Sequence, residues 1–139
     1  LQARGLRTDR AILAVLDGSK ALAKSVKAVF GARVRIQRCQ AHKVRNVVDQ
    51  LPESMRTSVR QAMRQAYRSK NVKRAKQQLE NLARRLRDDH PGAAASLEEG
   101  LDETLTVMAF GLPEWLERTL STTNAIENLV GSARDLSRR

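Results

Sequence analysis

The sequence predicts an α/β chain that is mainly α-helical, and three observations lead there. Aromatic residues make up 3% of the 139 residues against 41% hydrophobic ones, so the core must be assembled from Leu, Val, Ala, Ile and Met. Beyond Cys39 those residues recur at helical spacing. The segment before it reads instead as strand, helix, strand. The length fits one domain with a core of its own.

Ile12-Leu-Ala-Val-Leu16 is a short continuous apolar run, as a buried parallel strand requires, and Asp17-Gly18 ends it. Ser19 is placed to cap a helix with Ala21, Leu22, Val26 and Val29 on one side, closing near Phe30-Gly31. Arg33-Val-Arg-Ile-Gln-Arg-Cys39 alternates polar and apolar, so it reads as a second strand with Val34 and Ile36 on one face. A crossover of this kind is right-handed and sets the two strands parallel. Val44, Val47, Val48 and Leu51 then mark a helix stopped by Pro52, and Met55, Val59, Met63 and Tyr67 mark another. Val72, Ala75, Leu79, Leu82 and Leu86 mark a third, with Asn71 as its cap. His90-Pro-Gly92 is a break, after which Leu97, Leu101, Leu105 and Met108 form a fourth apolar stripe. Gly111-Leu-Pro113 interrupts before a short segment around Trp115, and a last helix is expected from Asn124 to Leu136. There is no repeat and no low-complexity linker, so the helical block is expected to pack on the strands and not to hang from a tether.

Twenty-six Lys and Arg against fifteen Asp and Glu give a formal charge of +11 and a pI near 11.0, which points to a polyanionic partner. A nucleic acid suits this balance better than an anionic membrane, because a lysine-rich amphipathic segment with aromatic anchors is missing. No run of eighteen apolar residues and no leader pattern is present, so no membrane span is expected and the chain reads as cytoplasmic. The single cysteine, Cys39, agrees with that compartment. Arg38, Lys43 and Arg45, with Arg134, Arg138 and Arg139 on the last helix, are the expected phosphate contacts. The basic run from Arg74 to Arg87 reads as a solvated face with internal charge pairs such as Glu80 and Arg84.

Two carboxylates stand out. Asp17 ends the first strand, at the sheet edge where α/β proteins bind ligands, and Gly18 after it allows a phosphate to approach. It reads equally as the turn residue of an Asp-Gly pair. Glu127 falls in the first turn of the last helix, where Asn124-Ala-Ile-Glu127 also has the spacing of a capping box. Cys39 and His42 have half the ligand pattern of a zinc site, but His90 beside a Pro-Gly break offers no second half. Gly18-Ser19-Lys20 lacks the spaced glycines of a phosphate loop, which excludes that kind of nucleotide hydrolysis.

The run Ile12–Leu16 ending on Asp17, then Gln37-Arg-Cys-Gln-Ala-His-Lys-Val-Arg-Asn46, then Ser121-Thr-Thr-Asn-Ala-Ile-Glu-Asn-Leu129, in this order, resemble the core of the mutator-type bacterial transposases, the family of insertion sequence 256. The resemblance covers nearly the whole chain. It implies a ribonuclease-H-like core in which three carboxylates hold two Mg2+ ions, with Asp17 as the second carboxylate and Glu127 as the third. Cys39 and His42 match a Cys-or-Asp, two residues, His motif that shapes the active-site neighbourhood. On this pattern residues 1–43 form part of the core, 44–120 a helical insertion, and 121–139 the helix of the catalytic glutamate. The first aspartate of the family lies on an earlier strand, so the chain is expected to be a truncated transposase, inactive alone. The implied partner is DNA, at insertion-element ends and targets, and the unpaired edge of the first strand makes a homo-oligomer expected. The alternative is a non-catalytic basic helical DNA-binding protein, with Asp17 and Glu127 serving turn and cap.

Overall fold

Parallel pairing joins β1 (Ile12–Leu16) to β2 (Val34–Arg38), with Ile12 opposite Val34 and Leu16 opposite Arg38. The connection is α1 (Lys20–Phe30), whose N-terminus is capped by Ser19: its Oγ accepts the Leu22 amide at 3.3 Å. Gly31, at φ 58°, ends the helix in a backbone region that a side chain disfavours, and one tight turn, Gly31–Arg33, leads into β2. These elements belong to a computed structural model that describes residues 5–124 and Glu127. The expected helix to Leu136, with Arg134, Arg138 and Arg139, falls beyond the described residues apart from Asn124 and Glu127, both helical.

The face of α1 differs from the expected one. Ala23, Val26 and Phe30 pack on the sheet with Ile12, Ala14, Leu16, Val34 and Ile36. Leu22 and Val29 are left 47% and 41% exposed. Each lies one position before a packed residue, so it is turned about 100° away from the sheet. Spacing alone had grouped residues that the single available sheet face could not all cover.

Four helices follow: α2 (Gln40–Val48), α3 (Glu53–Tyr67), α4 (Val72–Leu86) and α5 (Pro91–Glu98). Their limits follow from the sequence. Pro52 stops the first apolar run, the Asn71 side chain accepts the Arg74 amide at 3.0 Å to cap α4, and Pro91 occupies the first turn of α5. α2 packs on α3 and α5, and α4 on the same two, which closes a four-helix core. Met63, Leu79 and Leu97 at its centre have no exposed surface.

The fourth apolar stripe is not one helix. Leu97, Leu101, Leu105 and Met108 are all buried, yet α5 ends at Glu98. Gly100 then takes φ +61°, and the chain continues through two short 3-10 turns, Asp102–Leu105 and Met108–Phe110. After Gly111, in the left-handed region, comes α6 (Glu114–Leu120). The break lets residues 102–107 run beside β2 while Asp102–Leu105 keeps its contact with α4. None of the described helices is long and apolar enough to cross a membrane.

Candidate functional site

The carboxyl end of the sheet is where the chemistry-bearing segments meet. Cys39 follows β2 directly, and its amide donates to the Leu16 carbonyl at 2.7 Å, which continues the ladder by one bond and fixes the peptide that leads into Asp17. The Gln40 amide donates to the Ser121 carbonyl at 3.0 Å, so the start of α2 is also tied to the segment leading to Glu127. One sheet edge therefore carries the residue after β1, the residue after β2 and the approach to the last helix.

Cys39 is fully buried and sits at the centre of this junction. Its Sγ lies 3.4 Å from the Thr123 amide nitrogen, 3.4 Å from Thr123 Oγ1 and 3.3 Å from His42 Nδ1. Burial works to raise its thiol pKa, but the hydrogen bonds from Thr123 and His42 together outweigh it and hold the thiol below its ordinary value. The Thr123 hydroxyl also donates to Glu127 Oε1 and lies 3.4 Å from His42 Nδ1. A hydroxyl has one proton, so it serves one of these acceptors at a time. His42 Nδ1 is 3.7 Å from Glu127 Oε1, which makes an ion pair whenever the imidazole is protonated. Glu127 is exposed on its other side.

Asp17 is exposed, and its Oδ1 accepts the Ser19 amide at 2.9 Å. That contact is the turn role foreseen for an Asp-Gly pair. Gly18 takes φ +114°, a conformation that a side chain strains. For Glu127 the capping-box geometry is not the one adopted. Its partner is Thr123, four residues back, and Asn124 is already helical. Both carboxylates are oxygen donors of the kind that magnesium takes. No group of three or more His, Cys, Asp or Glu side chains is placed to hold a metal ion among the described residues.

Of the expected phosphate contacts, Arg38 and Lys43 are turned inward. The Arg38 guanidinium lies 3.3 Å from Glu103 Oε2 and 3.8 Å from Glu99 Oε2. It presses on Gly100, where an added Cβ would come within 2.6 Å of Arg38 Cζ. The Lys43 ammonium donates to the Ser96 and Glu99 carbonyls, at 2.5 and 2.6 Å, and so satisfies the end of α5. Burial, and next the charge of Arg38, push its pKa down to about 8. Arg38 ties β2 to the chain after α5 and Lys43 ties α2 to the end of α5, so neither is free for a phosphate in this conformation, whereas Arg45 is exposed.

Two residues of the junction were not foreseen. Gln37 is completely buried, donating from Nε2 to the Arg38 and Thr104 carbonyls and accepting the Val107 amide at 2.8 Å. Nothing in a strand pattern marks a glutamine as buried. Thr123 could have been found, since a Thr just before a helix is a capping signal.

Comparison with known proteins gives the same direction. The sequence profile of the family described as "Transposase, Mutator family" matches residues 1–138. The transposase for insertion sequence element IST2 of Acidithiobacillus ferrooxidans is 30% identical over 139 residues, all of this chain and 46% of that protein. The transposase for IS6120 of Mycolicibacterium smegmatis is 30% identical over 123 residues, 88% of this chain and 37% of the relative. The transposase for IS256 in transposon Tn4001 of Staphylococcus aureus is 28% identical over 131 residues, 93% and 32% respectively. The chain spans less than half the length of these relatives.

Proposed function

The chain belongs to the mutator family of transposases, and from that membership we propose that it acts in metal-dependent cleavage and strand transfer of DNA, with Asp17 and Glu127 as two carboxylates of the active site. The proposal includes a ribonuclease-H-like core around the β1–α1–β2 unit. One observation supports it above the others: Cys39 is bonded both to the end of β1, through Leu16, and to the segment before Glu127, through Thr123. Residues far apart in sequence thereby approach one sheet edge, the edge at which α/β folds bind ligands. Magnesium, when bound, would stabilise the charge developing on the attacking and leaving oxygens of the phosphodiester.

In this reading the chain's own residues orient the ligands. Thr123 and His42 both meet Glu127 Oε1 and limit its rotation. The Ser19 amide fixes one oxygen of Asp17. Two carboxylates do not hold two ions in place for an in-line displacement, so the chain alone is expected to give no strand transfer on a DNA substrate.

A second reading rests on a specific observation as well. Asp17 and Glu127 each already make a local contact, with Ser19 and Thr123, that suits turn and helix start without any metal. Titration of the purified chain with Mn2+, followed by the electron paramagnetic resonance signal of the free ion, separates the two. The active-site reading expects binding that is lost in both Asp17→Asn and Glu127→Gln. Binding that neither substitution alters would leave a non-catalytic basic DNA-binding protein.

A further inference from the structure

The positive charge of the chain is not spread evenly, and the fold concentrates it away from the cations that flank the Cys-His motif. Between Glu53 and Glu80 there are eight basic residues and no acidic one. Four acids, Glu98, Glu99, Asp102 and Glu103, stand instead around the end of α5. They form ion pairs with Lys20, Lys27, Arg38, Lys76 and Arg87 on α1, β2 and α4 or just past it. The cations on that side of the molecule are thus largely neutralised.

The other end of the helical block is different. Arg60, Arg64 and Arg68 follow one another at four-residue steps along α3 and its cap. Lys70, Lys73 and Arg74 continue through the turn into the start of α4. All of these except half-buried Arg60 are exposed. None has a carboxylate within ion-pair distance among the described residues. Like charges four apart destabilise a helix by a few tenths of a kcal/mol per pair, so the row contributes nothing to the fold that would account for it. Successive arginines rise by about 6 Å along the helix, and phosphate charges recur every ~3.4 Å along a DNA strand. The positive end of the α4 dipole lies in the same patch and adds to its sign.

We propose that the edge formed by the end of α3, the α3–α4 turn and the first turn of α4 is a docking surface for the phosphate backbone of duplex DNA. The proposal rests on DNA being the partner, and it moves the binding surface from Arg38 and Lys43, which are internal, to Arg64, Arg68 and Lys73. Phosphate interactions of this kind position the duplex and carry no sequence information.

The test is binding of the purified chain to a fluorescein-labelled random-sequence duplex, read by anisotropy across a salt series from roughly 50 to 200 mM. Arg64→Gln, Arg68→Gln and Lys73→Gln combined should reduce the slope of log K against log salt by about 2 to 3, near 0.9 for each phosphate that is no longer neutralised. A second triple variant, Lys20→Gln, Lys27→Gln and Arg87→Gln, removes the same net charge from cations already paired with Glu99, Glu103 and Glu98 and should change the slope by less than about 0.9 in all. Thermal unfolding of both triples checks that each remains folded. Equal reductions in the two triples would overturn the docking surface while leaving DNA as the partner. No salt-dependent binding by the unaltered chain would overturn the DNA reading beneath it.

Discussion

In the helical block nineteen buried side chains, from Val44 to Met108, form one continuous cluster. The sheet unit gathers only Leu16, Phe30, Val34 and Ile36, with half-buried Ile12, Ala14, Ala23 and Val26 around them. The apolar residues are similar in kind, and the difference lies in how many faces find a cover. Each helix from α2 to α5 packs on two others, whereas β1 and β2 have one helix on one face and β1 keeps one edge unpaired among the described residues. A two-stranded sheet is marginal on its own and depends on what packs against it. The sheet is therefore held largely from the side, by the seam that Ile36, Gln37 and Arg38 make with residues 99–107. The Thr106 hydroxyl donates to the Ile36 carbonyl at 2.7 Å in that seam. The candidate site stands where the firm and the marginal regions meet, and it takes its rigidity from the firm one.

The largest effect is expected in the helical core. Leu79→Ala, at a side chain with no exposed surface, should lower the unfolding free energy by about 2–5 kcal/mol. Urea titration followed by circular dichroism measures it. The matching truncation in the sheet unit, Ile12→Ala, should cost well under half as much, and equal costs would break the comparison between the two regions.

The seam comes next. Gln37→Met removes three hydrogen bonds and leaves the Val107 amide and the Thr104 carbonyl buried with fewer partners, at a cost of roughly 1–3 kcal/mol. If the seam holds the sheet, amide hydrogen exchange should speed up in β1 and β2 more than in α3 and α4. Uniform acceleration would show instead that the molecule opens as a single unit. Gly100→Ala should act in the same direction, since its φ of +61° and the Arg38 guanidinium leave no place for a Cβ.

A smaller, pH-dependent effect follows from Lys43. Its folded pKa of about 8 lies below the ordinary lysine value of 10.5. Between those values the unfolded chain binds more protons than the folded one, so this group makes stability rise with pH across that window. Below about pH 8 both states are protonated and the group adds no slope. Comparison of Lys43→Met with the unaltered chain isolates the effect: the difference in urea midpoint should move in favour of the unaltered chain from pH 8 upward.

The smallest effect is expected on the outer side of α1. Leu22→Ser should change stability by less than about 0.5 kcal/mol, because the side chain is 47% exposed. A larger loss, accompanied by a smaller sedimentation coefficient, would mean that this face and the open edge of β1 are covered by a second copy of the chain.

Much of the local structure could be read from the residues. The bounds of β1, β2 and the helices to α4 were legible because Pro52, Ser19, Asn71 and Pro91 act within a turn of where they stand. The parallel pairing followed from a helix joining two strands. The ordered segments around Asp17, Cys39 and Glu127 were enough to suggest the family, which the profile match bears out.

Tertiary structure decided what depends on neighbours remote in sequence. Spacing marked the apolar faces of α1, but the number of sheet faces available determined which residues they buried. Leu97 to Met108 kept their burial and lost their continuous helix, because Gly100 turns the chain where Arg38 occupies the space. Above all, charge in a sequence is a sum, while in a fold it is a distribution. Arg38 and Lys43 were taken up by carboxylates and carbonyls from residues 96–103, and Arg60 and Arg64 of α3 were left without a carboxylate partner among the described residues. Hydrogen bonds and ion pairs act over a few ångströms, so which cation is neutralised depends on which acid the fold brings beside it.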